Sequence, residues 1–194
     1  MTPMLADAGI PMIGLQFPAM VALLIPVVLL EAVVVNKHLR IGFVKAVCGV
    51  FPANLVSTLL GFPIAWGLML GIEFVSGYLL LGAYHVFPSI QRITESPIFQ
   101  LASLPFFSAW VGNNPVMVPV AAVVLLIPSF FISIWIERKI CTRIWVSEPA
   151  INLSSVQRAV RQANIVSYLF LFGVAVCLQV YVLTYGWPNW HPLF

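Results

Sequence analysis

Apolar residues form long runs along this chain, and the basic residues are confined to the short segments between the runs. A helix needs about 20 mostly apolar residues to cross the hydrocarbon core of a bilayer. By that rule, membrane-spanning helices are predicted at 17–35, 46–62, 64–86, 116–136 and 163–185. The run at 98–111 is also apolar, but it is short and Pro105 interrupts it. The pattern therefore predicts an all-α, polytopic helical membrane protein.

Composition supports this class. Of the 194 residues, 61% are hydrophobic and only 8% are charged, and a soluble domain of this size could not hide so much apolar surface. No polar stretch is long enough to fold separately, so residues 1–194 are expected to form a single integral membrane domain. The net charge of +3 does not indicate nucleic-acid binding, because no basic run exceeds two residues. The lipid bilayer and other membrane subunits are the partners expected.

The basic residues predict the orientation of the helices. Cytoplasmic loops of membrane proteins carry an excess of Lys and Arg. If 98–111 crosses the membrane, about six segments place every basic residue inside, whereas five segments strand a basic group outside. The nine residues are Lys37, Arg40, Lys45, Arg92, Arg138, Lys139, Arg143, Arg158 and Arg161. We expect the bacterial inner (plasma) membrane, with the N- and C-termini on its non-cytoplasmic side.

Two local features complete the predicted topology. The N-terminal segment lacks the positive region and the small-residue cleavage site of a signal peptide, so it is expected to be retained. Pro63 cannot continue a helix cleanly, and Gly61 is a common helix-ending residue. The sequence Gly61-Phe62-Pro63 therefore predicts a tight corner between the second and third segments.

A short motif occurs twice in the chain. The sequence ANLVSTL at 53–59 is echoed by ANIVSYL at 163–169, and each copy follows basic residues. Each copy is also preceded by an apolar helix that ends near a glutamate, Glu31 or Glu137, and that contains an Ile-Pro step at 25–26 or 127–128. The shared order predicts a parallel internal repeat of the first two and last two segments, related by an axis along the membrane normal.

The first third of the chain carries a resemblance. The sequences IPVVLLEA at 25–32, NKHLR at 36–40 and ANLVSTLLG at 53–61 form a pattern that resembles small bacterial polytopic membrane proteins. The pattern is also similar to the start of the cyanobacterial filament-integrity proteins found at septal junctions. The resemblance implies a non-enzymatic role in the membrane.

Polar residues inside the predicted spans are the candidate functional residues. Asn54 and Asn164 lie in the second and last segments, and Ser57 and Ser167 follow three residues later on the same helical face. An unpaired amide in hydrocarbon is costly, so each asparagine is expected to face another helix. The resulting seam either holds helices together or lines a conduction path.

The acidic residues suggest different environments. Glu73 lies near the middle of the third segment, where an ionised carboxylate costs several kcal/mol. It is interpreted either as part of a proton or cation pathway or as a neutral, hydrogen-bonded carboxyl. Glu31 and Glu137 lie nearer the predicted cytoplasmic face, where we expect them to form ion pairs with Lys37, Arg40, Arg138 or Lys139.

Gly67 and Gly71 form a GxxxG motif in the third segment. Small residues four positions apart let two helix backbones approach closely. The motif suits packing within this chain and contact with a partner equally well.

The sequence contains no arrangement of residues that predicts catalysis. It has no nucleophile with a base, no phosphate-binding loop, and no cofactor or metal motif. The leading prediction is a non-catalytic integral membrane subunit or scaffold that packs laterally against other membrane proteins. The alternative is a small transporter or channel that uses Glu73 and the Asn54 and Asn164 seam.

Overall fold

The computed structural model describes residues 10–87, 110–111, 117–146 and 151–185, together with residues 94, 96, 99 and 103. The main elements are β1 (Ile10–Pro11), α1 (Met12–Leu39), α2 (Phe43–Val56), α3 (Phe62–Val86), β2 (Trp110–Val111), α4 (Met117–Trp145) and α5 (Leu153–Tyr185). A π-helical turn, Ser57–Gly61, joins α2 to α3. The two short strands pair antiparallel. The predicted all-α class is confirmed.

Four helices among the described residues are long and apolar enough to cross a membrane, namely Gln16–Leu39, Phe43–Val86, Pro119–Trp145 and Leu153–Tyr185. This supports the membrane class but not the count of about six segments. Two predicted spans, 46–62 and 64–86, belong to one continuous helix. The predicted segment 98–111 lies outside the described residues, except for isolated positions.

The predicted corner at Pro63 is wrong, because the helix continues through it for 44 residues. A proline ring normally clashes with the carbonyl group four residues earlier, and a π-turn loosens the backbone at that position. Here the Phe62 N–H donates to the Ser57 carbonyl, five residues back, immediately before the proline. The wider turn accommodates Pro63 without ending the helix.

A short hairpin connects α1 to α2. Arg40 takes a left-handed conformation with φ of 54°, and its N–H donates to the Asn36 carbonyl at 2.9 Å. Gly42 follows with φ of 87°, a backbone conformation that favours glycine. This αL ending stops α1 and lets α2 begin at Phe43.

The helix α5 begins ten residues earlier than the predicted span at 163–185. Its first turn is capped by Asn152, whose Oδ1 accepts hydrogen bonds from the Ser155 N–H at 2.8 Å and from the Ser154 hydroxyl at 2.9 Å. A hydropathy window excludes this basic, polar first part of the helix, which contains Arg158 and Arg161. The cap therefore defines a boundary that hydropathy does not detect.

The chain forms two compact units. The core unit comprises residues 16–65 and 126–174, and the other unit comprises 1–15, 66–125 and 175–194. In the other unit, a small apolar cluster is built on Met69, Ala121 and Leu125. The core unit holds a larger cluster that includes five nearly inaccessible alanines, Ala32, Ala46, Ala53, Ala159 and Ala163. Small side chains of this kind let membrane helices approach closely.

Gly49 of α2 packs directly against the side chain of Trp145. A Cβ atom at this position would lie 2.6 Å from Cε2 of Trp145, well inside van der Waals contact. The Cys141 thiol donates to the Gly49 carbonyl oxygen at 3.9 Å. Gly49 therefore gives α4 room to pack its last two turns directly on the α2 backbone.

Candidate functional site

A network of buried carboxyl, amide and hydroxyl groups lies in the core unit. Glu31 of α1 is its first acceptor. One carboxyl oxygen, Oε2, accepts a hydrogen bond from Asn54 Nδ2 at 2.6 Å. The other, Oε1, accepts from the Ser167 hydroxyl of α5 at 2.5 Å. Glu31 therefore binds donors from the next helix in the chain and from the last helix.

Glu137 of α4 has the same set of partners. Its Oε2 accepts from Asn164 Nδ2 of α5 at 2.6 Å. Its Oε1 accepts from the hydroxyl of Ser57, the first residue of the π-turn, at 2.8 Å. Each glutamate thus binds the asparagine of the following helix and the serine of the other helix pair. We call these six residues the acid–amide network.

Backbone contacts hold the donors in equivalent ways. Asn54 Nδ2 also donates to the Val50 carbonyl at 3.2 Å, and Asn164 Nδ2 donates to the Val160 carbonyl at 3.1 Å. Both serine hydroxyls lie 3.1 Å from the carbonyl oxygen of the asparagine three residues earlier. A hydroxyl carries one hydrogen, so each serine shares it between that carbonyl and a carboxyl oxygen.

The acid–amide network is buried at matching positions along its helices. All six residues have exposed fractions of 4% or less. Glu31 and Glu137 each lie eight residues before the end of their helix, about 12 Å along the axis. Asn54 and Asn164 each lie eleven residues after the start of theirs, about 16 Å along the axis. All of these positions fall within the candidate membrane spans.

The prediction that Glu31 and Glu137 form ion pairs with nearby basic residues is wrong. Among the described residues, the side chains that hydrogen-bond to the two carboxyls are asparagines and serines, and none is basic. The basic residues proposed as their partners are exposed instead: Lys37, Arg40, Arg138 and Lys139. The glutamates lie on the buried face of their helices, so their side chains turn inward and do not extend toward the membrane surface.

The asparagine and serine side chains can form hydrogen bonds with the carboxyl groups in either protonation state. Asparagine offers both a donor and an acceptor, and a serine hydroxyl does too, whereas lysine and arginine only donate. The Oδ1 atom of Asn164 is buried and accepts no hydrogen bond from the described residues. The network therefore has a local acceptor that rotation of the amide could turn toward a protonated carboxyl.

The other predicted site residues lie elsewhere. Glu73 is on α3 in the other unit and is partly exposed. Gly67 and Gly71 are exposed on the same helix, and a Cβ atom at either would meet no described atom within 4 Å. The structure thus brings together Asn54, Asn164 and their serines, and it gives them glutamate partners that the sequence interpretation had assigned to the surface.

The sequence does contain a signal for these partners. Leu24, Val28 and Val35 are buried with Glu31 on one face of α1, at helical spacing. In a membrane helix both the buried and the lipid-facing sides are apolar, so hydropathy alone does not reveal this face. The recurrence of a glutamate before each Ala-Asn motif was the usable signal.

Fold and site together are those of a helical protein with four candidate membrane spans among its described residues and a buried polar network. Among the described residues, no group of three or more His, Cys, Asp or Glu side chains could hold a metal ion. Comparison with known protein families, with curated proteins and with solved structures finds no match. The resemblance to septal-junction proteins therefore stays a prediction.

Proposed function

We propose that this chain is a non-catalytic integral membrane subunit or scaffold that packs laterally against other membrane proteins. The observation that carries the proposal is the acid–amide network, because its buried polar groups form hydrogen bonds with one another. A network of this kind stabilises one arrangement of helices. What remains for binding is the apolar outer surface, where many large hydrophobic side chains are exposed.

The α3 surface is the best-suited lateral contact in this proposal. Gly67 and Gly71 are exposed, with Leu68 and Phe74 beside them at 54% and 62% exposure. A small-residue surface flanked by large apolar side chains fits the close approach of a second membrane helix. This supports a protein partner more specifically than a uniformly bulky surface does.

We further propose that the core unit arose by duplication of a helix pair. The support is the correspondence of Glu31 with Glu137, Asn54 with Asn164 and Ser57 with Ser167 in position, burial and hydrogen-bond partners. The Ile-Pro steps do not share this register, since they end five residues before Glu31 and nine before Glu137. The difference is close to one helical turn.

The proposed orientation follows from charge. Eight of the nine basic residues lie in the core unit, near the end of α1, the start of α2, the end of α4 and the first turns of α5. An excess of Lys and Arg is typical of cytoplasmic segments. We infer a bacterial plasma-membrane protein with these ends in the cytoplasm and both termini on the opposite side.

Site-specific photo-crosslinking in cells tests the lateral contact. A photoreactive phenylalanine analogue at Leu68, beside Gly67, should give a discrete crosslinked band whose mass includes a protein partner. The same group at Leu183, which is 63% exposed on α5, serves as the matched lipid-facing control. Equal, diffuse labelling at both positions would contradict a specific partner at the α3 surface.

A second candidate function is proton-coupled transport centred on Glu31 and Glu137. The observation that favours it is a pair of buried carboxyl groups whose hydrogen-bond partners among the described residues include no basic side chain. Two adjoining carboxylates do not both ionise readily, and intramembrane acids often carry protons. The alternative transport pathway predicted from the sequence uses Glu73. The Glu73→Gln variant separates the two, because loss of proton flux in that variant would assign the pathway to Glu73.

A further inference from the structure

One ridge of side chains on α4 changes from apolar to basic along its length. Ile127, Phe131, Trp135, Lys139 and Arg143 follow one another at intervals of four residues, so each neighbours the next along a ridge that winds slowly around the helix. The first three side chains are 59%, 66% and 60% exposed, and both basic residues are exposed. We call these five residues the α4 stripe.

A groove lies beside the basic end of the stripe. It has a volume of about 510 Å³ and is lined by Trp135, Arg138, Lys139, Thr142, Arg143 and Gln157. The last of these belongs to α5, so the groove lies between two helices of the core unit. Of the lining residues that the structure describes, three are basic and none is acidic. Lys139 Nζ lies 3.6 Å from the centroid of the Trp135 ring, a cation–π contact that orients the ammonium group.

The chemistry of the groove suits a phosphate group. Arginine offers a planar fork that matches phosphate oxygens, and lysine adds a compact charge. Thr142 and Gln157 supply neutral donors and acceptors for hydroxyl groups close to the phosphate. Basic pockets between membrane helices bind the head groups of anionic lipids in this way.

The α4 stripe favours a phosphate that belongs to a lipid over a free phosphate ion. Lys139 and Arg143 lie within the last seven residues of α4, where a spanning helix reaches the head-group region. Ile127, Phe131 and Trp135 continue the same ridge toward the membrane interior and provide about 12 Å of exposed apolar surface for a chain. We propose that the groove binds the head group of an anionic phospholipid, with an acyl chain along the α4 stripe.

The test uses the purified full chain in mild detergent, with thermal unfolding and native mass spectrometry as readouts. Phosphatidylglycerol, phosphatidylcholine and inorganic phosphate are added separately. The wild type should be stabilised by phosphatidylglycerol by several degrees and should retain about one molecule of it, with little response to the other two. The Lys139→Gln/Arg143→Gln variant should lose at least threefold in apparent affinity for phosphatidylglycerol.

The charge-matched control is Lys37→Gln/Arg40→Gln, which removes two exposed basic residues outside the groove. It should retain the response to phosphatidylglycerol. Equal loss in the control, or an equal response to phosphatidylcholine, would overturn a specific site. Stabilisation by inorganic phosphate alone would overturn the lipid assignment. If the double variant does not fold, the Trp135→Leu variant is tested in its place. It should retain less phosphatidylglycerol than the wild type, and an unchanged affinity for this lipid would contradict the proposal.

Discussion

The Ser167 hydroxyl lies 2.5 Å from a carboxyl oxygen of Glu31, although 136 residues separate them in the sequence. The corresponding contact joins Ser57 to Glu137 at 2.8 Å, across 80 residues. These two hydrogen bonds connect the first pair of helices to the last pair. The acid–amide network therefore connects all four helical segments of the core unit.

A double-mutant cycle should detect this connection. Ser167→Ala and Glu31→Gln, alone and together, should give a coupling energy of about 0.6 kcal/mol, the average for hydrogen bonds inside membrane proteins. Reversible unfolding in mixed detergent micelles measures the four free energies of unfolding. As a control, Ser133, whose hydroxyl contacts the Tyr168 hydroxyl at 2.9 Å, should show no coupling to Glu31. Strong coupling in the control would show that the effect is not specific to the Ser167 contact.

The two asparagines should contribute similarly to stability. Asn54→Leu and Asn164→Leu each remove the amide donor of a buried carboxyl, and an unsatisfied buried group costs about 1–3 kcal/mol. We expect both variants to lower the free energy of unfolding by amounts in this range. Asn36→Leu is the matched control, because only its backbone carbonyl is used in the α1 ending. A large loss at one asparagine and none at the other would contradict the equivalence of the two helix pairs.

Gly49 should tolerate no larger side chain. Gly49→Leu brings atoms into the space occupied by Trp145, and overpacking of this kind typically costs about 1–3 kcal/mol. Thermal unfolding should show a lower midpoint for this variant. Gly67→Leu makes the same change on an exposed helix surface where no described atom lies within 4 Å, and it should fold normally. Similar midpoints for both variants would contradict the close packing of α2 on α4.

Much of this architecture follows from the sequence because it depends on local patterns. The long apolar runs correctly predict helices, and the three-residue spacing of Asn54 and Ser57 correctly predicts a shared polar face. The partners of that face depend on tertiary contacts, and an acid near a helix end suits the membrane surface as well as the interior. For this reason the sequence predicts surface ion pairs for Glu31 and Glu137, whereas the structure buries both carboxyls.

The incorrect prediction of a corner at Pro63 has a different cause. Proline usually breaks or bends a helix because it lacks a backbone donor and its ring clashes with an earlier carbonyl. The π-turn at Ser57–Gly61 changes which residues are hydrogen-bonded and removes that conflict. No simple sequence signal distinguishes a proline after a π-turn from one at a corner, so the number of helices could not be derived from apolar runs and prolines alone.

The proposed orientation predicts a labelling pattern. A single cysteine at Lys37 should resist a membrane-impermeant maleimide in intact cells, whereas one at Tyr185, at the far end of α5, should react. The background has Cys48 and Cys177 replaced by serine and the buried Cys141 replaced by alanine. Both sites should react after permeabilisation, which controls for access. Labelling of the Lys37 position in intact cells would contradict the proposed orientation.

The most direct test of the structural role of the network is the Glu31→Gln/Glu137→Gln variant in proteoliposomes. Proton flux is followed with an enclosed pH-sensitive dye, and thermal unfolding is measured on the same preparation. Glutamine has one acceptor oxygen where glutamate has two, so one of the two donors at each position loses its acceptor, and glutamine cannot release a proton. The account predicts no proton flux above empty liposomes for the wild type, and a changed unfolding midpoint for the variant. A clear wild-type flux that disappears in a variant with unchanged unfolding would contradict it and establish the carboxyl pair as a transport site.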